Sequence, residues 1–189
     1  MPPALVPYPI TICGLAELCE HEAAGISHVV TIIDPDFPDP EDFLRYPPHR
    51  RTLWRFHDTI FESADTQAPS RADVAAILEF GRALAAETVE HLLVHCHMGI
   101  SRSTATVAIL LAQNHPGSEP DAFEALRAIR PHSWPNSRMI GFADDMLGRD
   151  GALVAAMRAH HTTMAHAYPD LADLLRQGER ADEVPPRRR

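Results

Sequence analysis

The chain has 189 residues, 45% of them hydrophobic and 23% charged, the proportions of a soluble globular protein with a sizeable core. A formal net charge of −9 argues against nucleic acid as the main partner, and no apolar run approaches the roughly 20 residues of a membrane span. Three cysteines are an odd count and too few for a disulfide framework, which fits a reducing cytoplasm, and the opening Met1-Pro2-Pro3-Ala4-Leu5-Val6-Pro7 lacks the basic start of a secretory signal.

Residues 1–9 carry four prolines and read as an extended lead-in. Ile10-Thr11-Ile12-Cys13 reads as a short strand, and Leu15 to Ala24 has helical spacing that stops at Gly25. Ser27 to Ile33 is β-branched and apolar, a buried strand. The proline-rich stretch Asp34 to Pro40 is a loop. Arg51 to Phe56 is a further strand, followed by His57-Asp58 and a polar loop to Pro69. Ser70 is placed as an N-cap, with Asp73 near the positive end of the helix dipole and Val74, Ile77, Leu78, Gly81 and Leu84 on one face. His91 to His95 is a central strand. Helices are expected at about 102–114, at Glu119 to Arg130, at Asn136 to Leu147 and from Gly151 to about His166, with a last turn at Leu171 to Arg176. Strands alternating with helices predict an α/β fold, a central, mostly parallel sheet of about four to five strands flanked by helices. Residues 1–178 read as a single domain and 179–189 as a flexible tail ending in Arg187-Arg188-Arg189.

The run His95-Cys96-His97-Met98-Gly99-Ile100-Ser101-Arg102-Ser103 lies between a strand and a helix. Strand, tight loop and helix aim backbone N–H groups and a helix N-terminus at one anion. A cysteine in that concavity sits in a positive field that favours the thiolate. Facing a bound tetrahedral anion, it is a nucleophile aimed at phosphorus. Arg102 offers a planar fork for two equatorial oxygens of a phosphate. Gly99 permits close backbone approach or φ > 0. Ser103 can donate to the sulfur as it departs in the second step, and His95 orients the loop. His97, Met98, Gly99, Ile100 and Ser101 contribute mainly backbone N–H groups to the ligand.

This His-Cys-x5-Arg-Ser run resembles the signature of the cysteine-dependent protein tyrosine phosphatases. With Pro135-Asn136 further on, it is most similar to their compact dual-specificity branch and its bacterial tyrosine-phosphatase-like relatives, over roughly residues 25–148. The resemblance implies phosphate monoester hydrolysis through a cysteinyl-phosphate, with no cofactor and no metal. The substrate would be a phosphorylated protein or a small phosphate ester. It also implies a carboxylic acid on a loop over the anion, to protonate the leaving oxygen. Two residues compete for that role. Asp58 stands at a strand end, 38 residues before Cys96, where bacterial relatives carry Phe-x-Asp; Asp65 stands 31 residues before Cys96, the spacing of the compact enzymes. The Pro-Asn segment implies that Asn136 braces the phosphate loop from behind; an N-cap is the plain alternative. No lysine occurs among the loop positions, which lowers the expectation of an inositol-lipid substrate.

Two other functions compete with hydrolysis. One is a phospho-ligand binding module of the same fold with weak catalysis. The other is a thiol-based arsenate reductase, which the mid-chain position of Cys96 and the absence of any later cysteine disfavour, or a sulfurtransferase, which the Gly-x-x-Arg-Ser ending of the loop disfavours. Cys13 and Cys19 read as buried small apolar residues, with a disulfide to Cys96 as the alternative. None of the 12 histidines shows paired metal spacing, and His160, His161 and His166 read as surface residues. Composition says nothing of oligomeric state.

Overall fold

The computed structural model of the chain describes residues 5–186, so the basic run Arg187-Arg188-Arg189 lies outside the described residues. Each of the four segments expected as strands is one: β1 (Ile10–Cys13), β2 (His28–Ile33), β3 (Arg50–Arg55) and β4 (Leu92–His95). They pair in the order β1-β4-β2-β3, all parallel. Every residue of β2 and of β4 is buried, as expected of parallel strands covered on both faces.

Side chains alternate between two unequal layers. Ile12, Val30, Ile32, Val94 and Cys96 face the main core, shared with the helices. Cys13, Val29 and Leu93 face a smaller one, closed by Leu18, Phe43 and Tyr46. Leu18 and Phe43 come from short 3-10 turns at Leu15–His21 and Glu41–Leu44, and Tyr46 from just after the second. The first replaces the helix expected from Leu15 to Ala24, and the second was not foreseen.

Six helices follow: α1 (Arg71–Leu84), α2 (Arg102–Gln113), α3 (Glu119–Ile129), α4 (Ser137–Leu147), α5 (Ala152–Ala167) and α6 (Pro169–Arg176). The Ser70 hydroxyl accepts from the Asp73 N–H while the Asp73 carboxylate accepts from the Ser70 N–H, a complete capping box for α1. All of α2 is buried, which suits the small and apolar residues of 103–112; Arg102 and Gln113 at its ends are buried with hydrogen-bond partners. Because β4 lies between β1 and β2, the segment leaving its carboxyl end, residues 96–101, sits where parallel sheets bind ligands.

Three expectations are corrected. His160 and His161 are not surface residues: each is 1% exposed, His160 against Phe123 of α3 and His161 against Trp134. Their rings pair with the Ser133 hydroxyl and the Pro135 carbonyl. Cys19 is exposed, whereas Cys13 is buried as expected. The segment read as a tail from residue 179 is packed through a 3-10 turn at Ala181–Glu183, with Arg180 only 8% exposed. A buried guanidinium needs carboxylate and carbonyl partners, and Arg180 has found them. Among the described residues no helix is long and apolar enough to cross a membrane.

Candidate active site

The loop 96–101 is shaped by what holds its carbonyls. His97 O accepts from the Leu15 N–H at 2.9 Å. Met98 O and Gly99 O accept from the Arg130 guanidinium at 3.2 and 3.1 Å. Ile100 O accepts from the Trp134 N–H at 2.7 Å, and Ser101 O from the Ala105 N–H at 2.8 Å. Five successive carbonyls are thus drawn outward. In a planar trans peptide the next N–H points the opposite way, so the N–H groups of 98–102 turn toward the loop's centre. That is an anion nest at the N-terminus of α2. Gly99 has φ +67°, and a Cβ there would lie 2.5 Å from the Cys13 carbonyl carbon; only glycine fits. A Cβ on Gly14 would likewise lie 2.9 Å from His97 O.

Arg130 is itself held by Glu17, whose two carboxylate oxygens accept from Nη1 and Nη2 at 2.9 and 2.8 Å. Arg102 is 3% exposed. Its Nη1 donates to Asp34 Oδ1 at 2.7 Å and to the Phe56 carbonyl, at the ends of β2 and β3. Its buried Nε has no partner, and an unpaired charged N–H inside the loop is what a tetrahedral oxyanion would satisfy. Cys96 lies at the base, 2% exposed, with Sγ 3.2 Å from Ser103 Oγ. His95 is wholly buried, its Nε2 2.8 Å from Thr31 Oγ1, which ties β4 to β2 beneath the loop. Burial pushes its imidazole down to about 4.

Of the two competing aspartates, the structure brings Asp58 to the loop. Asp58 Oδ1 accepts from Ser101 Oγ at 2.6 Å and from Asn136 Nδ2 at 3.0 Å, and faces Arg180 Nη1 at 3.4 Å. Burial pushes its carboxyl up, but the Arg180 and Arg102 guanidiniums and these hydrogen bonds outweigh it. The net position lies below the ordinary carboxylate value. Asp65 is exposed on the loop after β3, and among the described residues no hydrogen bond joins it to residues 96–103. Asn136 is the N-cap that was the plain alternative for it. Its Oδ1 caps α4 through the Met139 N–H, and its amide braces Asp58 and the Thr59 carbonyl rather than the phosphate loop directly.

His97 Nε2 accepts from the Asp34 N–H, and its ring meets Phe37 edge-on with centroids 4.5 Å apart. Burial first, then Arg102, lowers its pKa, so it stays neutral. Phe37 and Met98 are exposed beside the loop. Asp34, Glu17, Arg130 and Arg180 were missed from sequence. Only Asp34 had a signal: it is the first residue past a buried parallel strand, at the ligand-binding edge of such sheets.

No family model matches the chain. It is 28% identical over 147 residues to human protein phosphatase Slingshot homolog 3, covering 78% of this chain and 20% of that protein. It is 29% identical over 123 residues to human dual specificity protein phosphatase 12, covering 65% of this chain and 34% of that protein. The chain therefore spans about a fifth to a third of the curated relatives it matches. The crystal structure of human DUSP28 superposes with a TM-score of 0.56 at 18% identity, over 78% of this chain and 96% of that one. The fold is that of the dual-specificity phosphatases.

Proposed function

With the cysteine-dependent protein tyrosine phosphatase superfamily supported as the family of this chain, we propose that it hydrolyses phosphate monoesters in two steps, on phosphotyrosine or a similar aryl or alkyl phosphate. The observation that carries this reading is the pairing of Cys96, at the base of an inward-facing amide nest, with an Arg102 whose Nε awaits a partner. Cys96 Sγ attacks phosphorus as the ester P–O bond breaks, and Asp58 gives its proton to the leaving oxygen. The amides and Arg102 hold the three equatorial oxygens throughout. Water then attacks the phosphocysteine, its proton passes to Asp58, and the S–P bond breaks with Ser103 donating to the departing thiolate. No metal or cofactor takes part. The edge-on Phe37–His97 pair and Met98 give the entrance apolar walls suited to an aryl group. A reducing compartment such as the cytoplasm keeps the thiol available.

The depressed Asp58 pKa has a direct kinetic consequence. An acid must carry its proton, and that fraction falls as pH rises above its pKa. Turnover of phenyl or alkyl phosphates, which need protonation, should fall as pH rises through the neutral range. Asp58→Asn should cut it by roughly 10²–10⁴-fold and remove the decline. Esters of strongly acidic phenols should be much less affected. Asp65→Asn should leave both unchanged. Steady-state kinetics across a leaving-group series checks this, and a loss that follows Asp65 instead would reverse the assignment.

One observation favours a second reading, a phospho-ligand binding module with weak turnover: Asp58 is held as a carboxylate by Arg180, Ser101 and Asn136. Rapid quenching during aryl phosphate turnover separates the two. A trapped phosphocysteine and a burst of phenol support the enzyme; tight vanadate binding without product supports the module.

A further inference from the structure

We infer that Arg180, from the C-terminal segment, is a positioning residue of the active site, joining the phosphate loop to the acid. The inference rests on the phosphatase reading above. Its guanidinium meets three pieces of chain that are remote in sequence, and a carboxylate of its own segment. Nη1 donates to Ser101 Oγ in the phosphate loop and faces Asp58 Oδ1 at 3.4 Å on the loop after β3. Nη2 donates to the Trp134 carbonyl at 3.2 Å, just before α4. Nε donates to Glu183 Oε2 at 2.7 Å. Glu183 in turn accepts from the Ser137 N–H at 2.7 Å, at the first turn of α4. The hydrogen bonds run in sequence from Arg180 to Ser101 Oγ and from Ser101 Oγ to Asp58 Oδ1 at 2.6 Å. With its hydroxyl committed to Asp58, Ser101 gives α2 no side-chain cap, and the first N–H groups of α2 stay open to the anion.

A guanidinium only 8% exposed is kept in place by its carboxylates, and they by it. Two acids share it. Glu183 fastens Arg180 to α4, and Asp58 receives its field. The other titratable or charged groups facing Asp58 are Arg102, from the start of α2, and His97, from the phosphate loop. Ser101 and Asn136 supply neutral donors. Removing Arg180 takes away one of the two cations near Asp58 and the donor that orients Ser101, while burial of the carboxylate remains. Asp58 then holds its proton to higher pH and loses its fixed direction toward the loop.

The test uses the full chain with Arg180→Gln and Arg180→Lys. Phenyl phosphate turnover is measured across pH, with Asp58→Asn and the double variant completing a cycle. Arg180→Gln should lower kcat roughly 10- to 100-fold with KM little changed, and move the falling limb of the kcat profile to higher pH. Arg180→Lys, which keeps the charge without the fork, should return the limb toward its original position without restoring kcat. The double variant should be no slower than Asp58→Asn alone. An unmoved limb, or full additivity with Asp58→Asn, overturns the inference. Carboxyl NMR titration of Asp58 in the same proteins needs no turnover. A midpoint raised by Arg180→Gln supports the link even if the chain proves inactive, and an unchanged midpoint refutes it. Should Arg180→Gln fail to fold, Arg180→Lys decides the case: it refutes the inference if its kcat equals that of the unsubstituted chain.

Discussion

Cys96→Ser should abolish phosphate ester turnover, by on the order of 10⁴-fold or more, while leaving oxyanion binding intact. The two halves of that expectation come from different atoms. Turnover needs the sulfur, 3.2 Å from Ser103 Oγ at the base of the loop. A serine hydroxyl there has no adjacent base to activate it, because His95 is turned to Thr31 beneath the sheet. Binding needs the amides of 98–102 and the Arg102 fork, which serine does not disturb. Arg102→Lys should do the opposite, weakening vanadate or phosphate affinity along with turnover, since a point charge cannot replace a planar fork fixed by Asp34 and Phe56. Calorimetric titration of vanadate beside steady-state kinetics reads both. Residual hydrolysis by Cys96→Ser at the rate of the unsubstituted chain would remove the nucleophile from the mechanism.

Acidification should unfold the chain steeply between about pH 6 and pH 4. His95, His160 and His161 are each 0–1% exposed, and burial pushes their imidazoles down to about 4, about 4 and about 3. In the unfolded chain each titrates near 6.5. Across the interval the unfolded chain binds more protons than the folded one, so stability falls with pH. Each histidine binds a proton in the unfolded chain that it refuses in the folded one, and the three effects act in the same direction. Below about 4 the contribution of His95 and His160 levels off. There Asp58, whose folded pKa is lowered, begins to withdraw the stability it supplied above its unfolded value of about 3.9. Urea denaturation at pH 7, 6 and 5 measures this; a midpoint independent of pH would contradict it. The two pH effects oppose each other. Protonation of Asp58 favours acid, folding favours neutrality, and the useful range for poor leaving groups lies where they cross.

What could be read from the chain was whatever depends on near neighbours. The apolar runs at 28–33 and 92–95, the Ser70 cap, the glycine at 99 and the cysteine–arginine spacing each declare themselves within a few residues. Their placement at the carboxyl edge of a parallel sheet followed from strand–helix alternation alone. What was missed depends on partners far along the chain. Glu17 and Arg130 are 113 residues apart, Asp34 and Arg102 are 68, and Ser101 and Arg180 are 79. No periodicity marks such pairs. His160 and His161 looked polar and helical, and so external. Their burial follows from the packing of α5 against α3 and the segment before α4, with Phe123 beside His160 and Trp134 stacked on His161 at 4.6 Å. Asp58 and Asp65 could not be separated by spacing, because the path of the loop after β3 decides which of them turns back over Ser101.

Neither of the chain's two other thiols shares a disulfide with Cys96. Cys13 pairs in register with His95, so its side chain and that of Cys96 leave the sheet on opposite faces, and Cys19 sits exposed on the turn beyond the Cys13 face. Peroxide that converts the nucleophile to a sulfenic acid would meet, among the described residues, no cysteine on the same face of the sheet. Recovery from oxidation would then fall to an external thiol such as glutathione, acting before the sulfur advances to its sulfinic form.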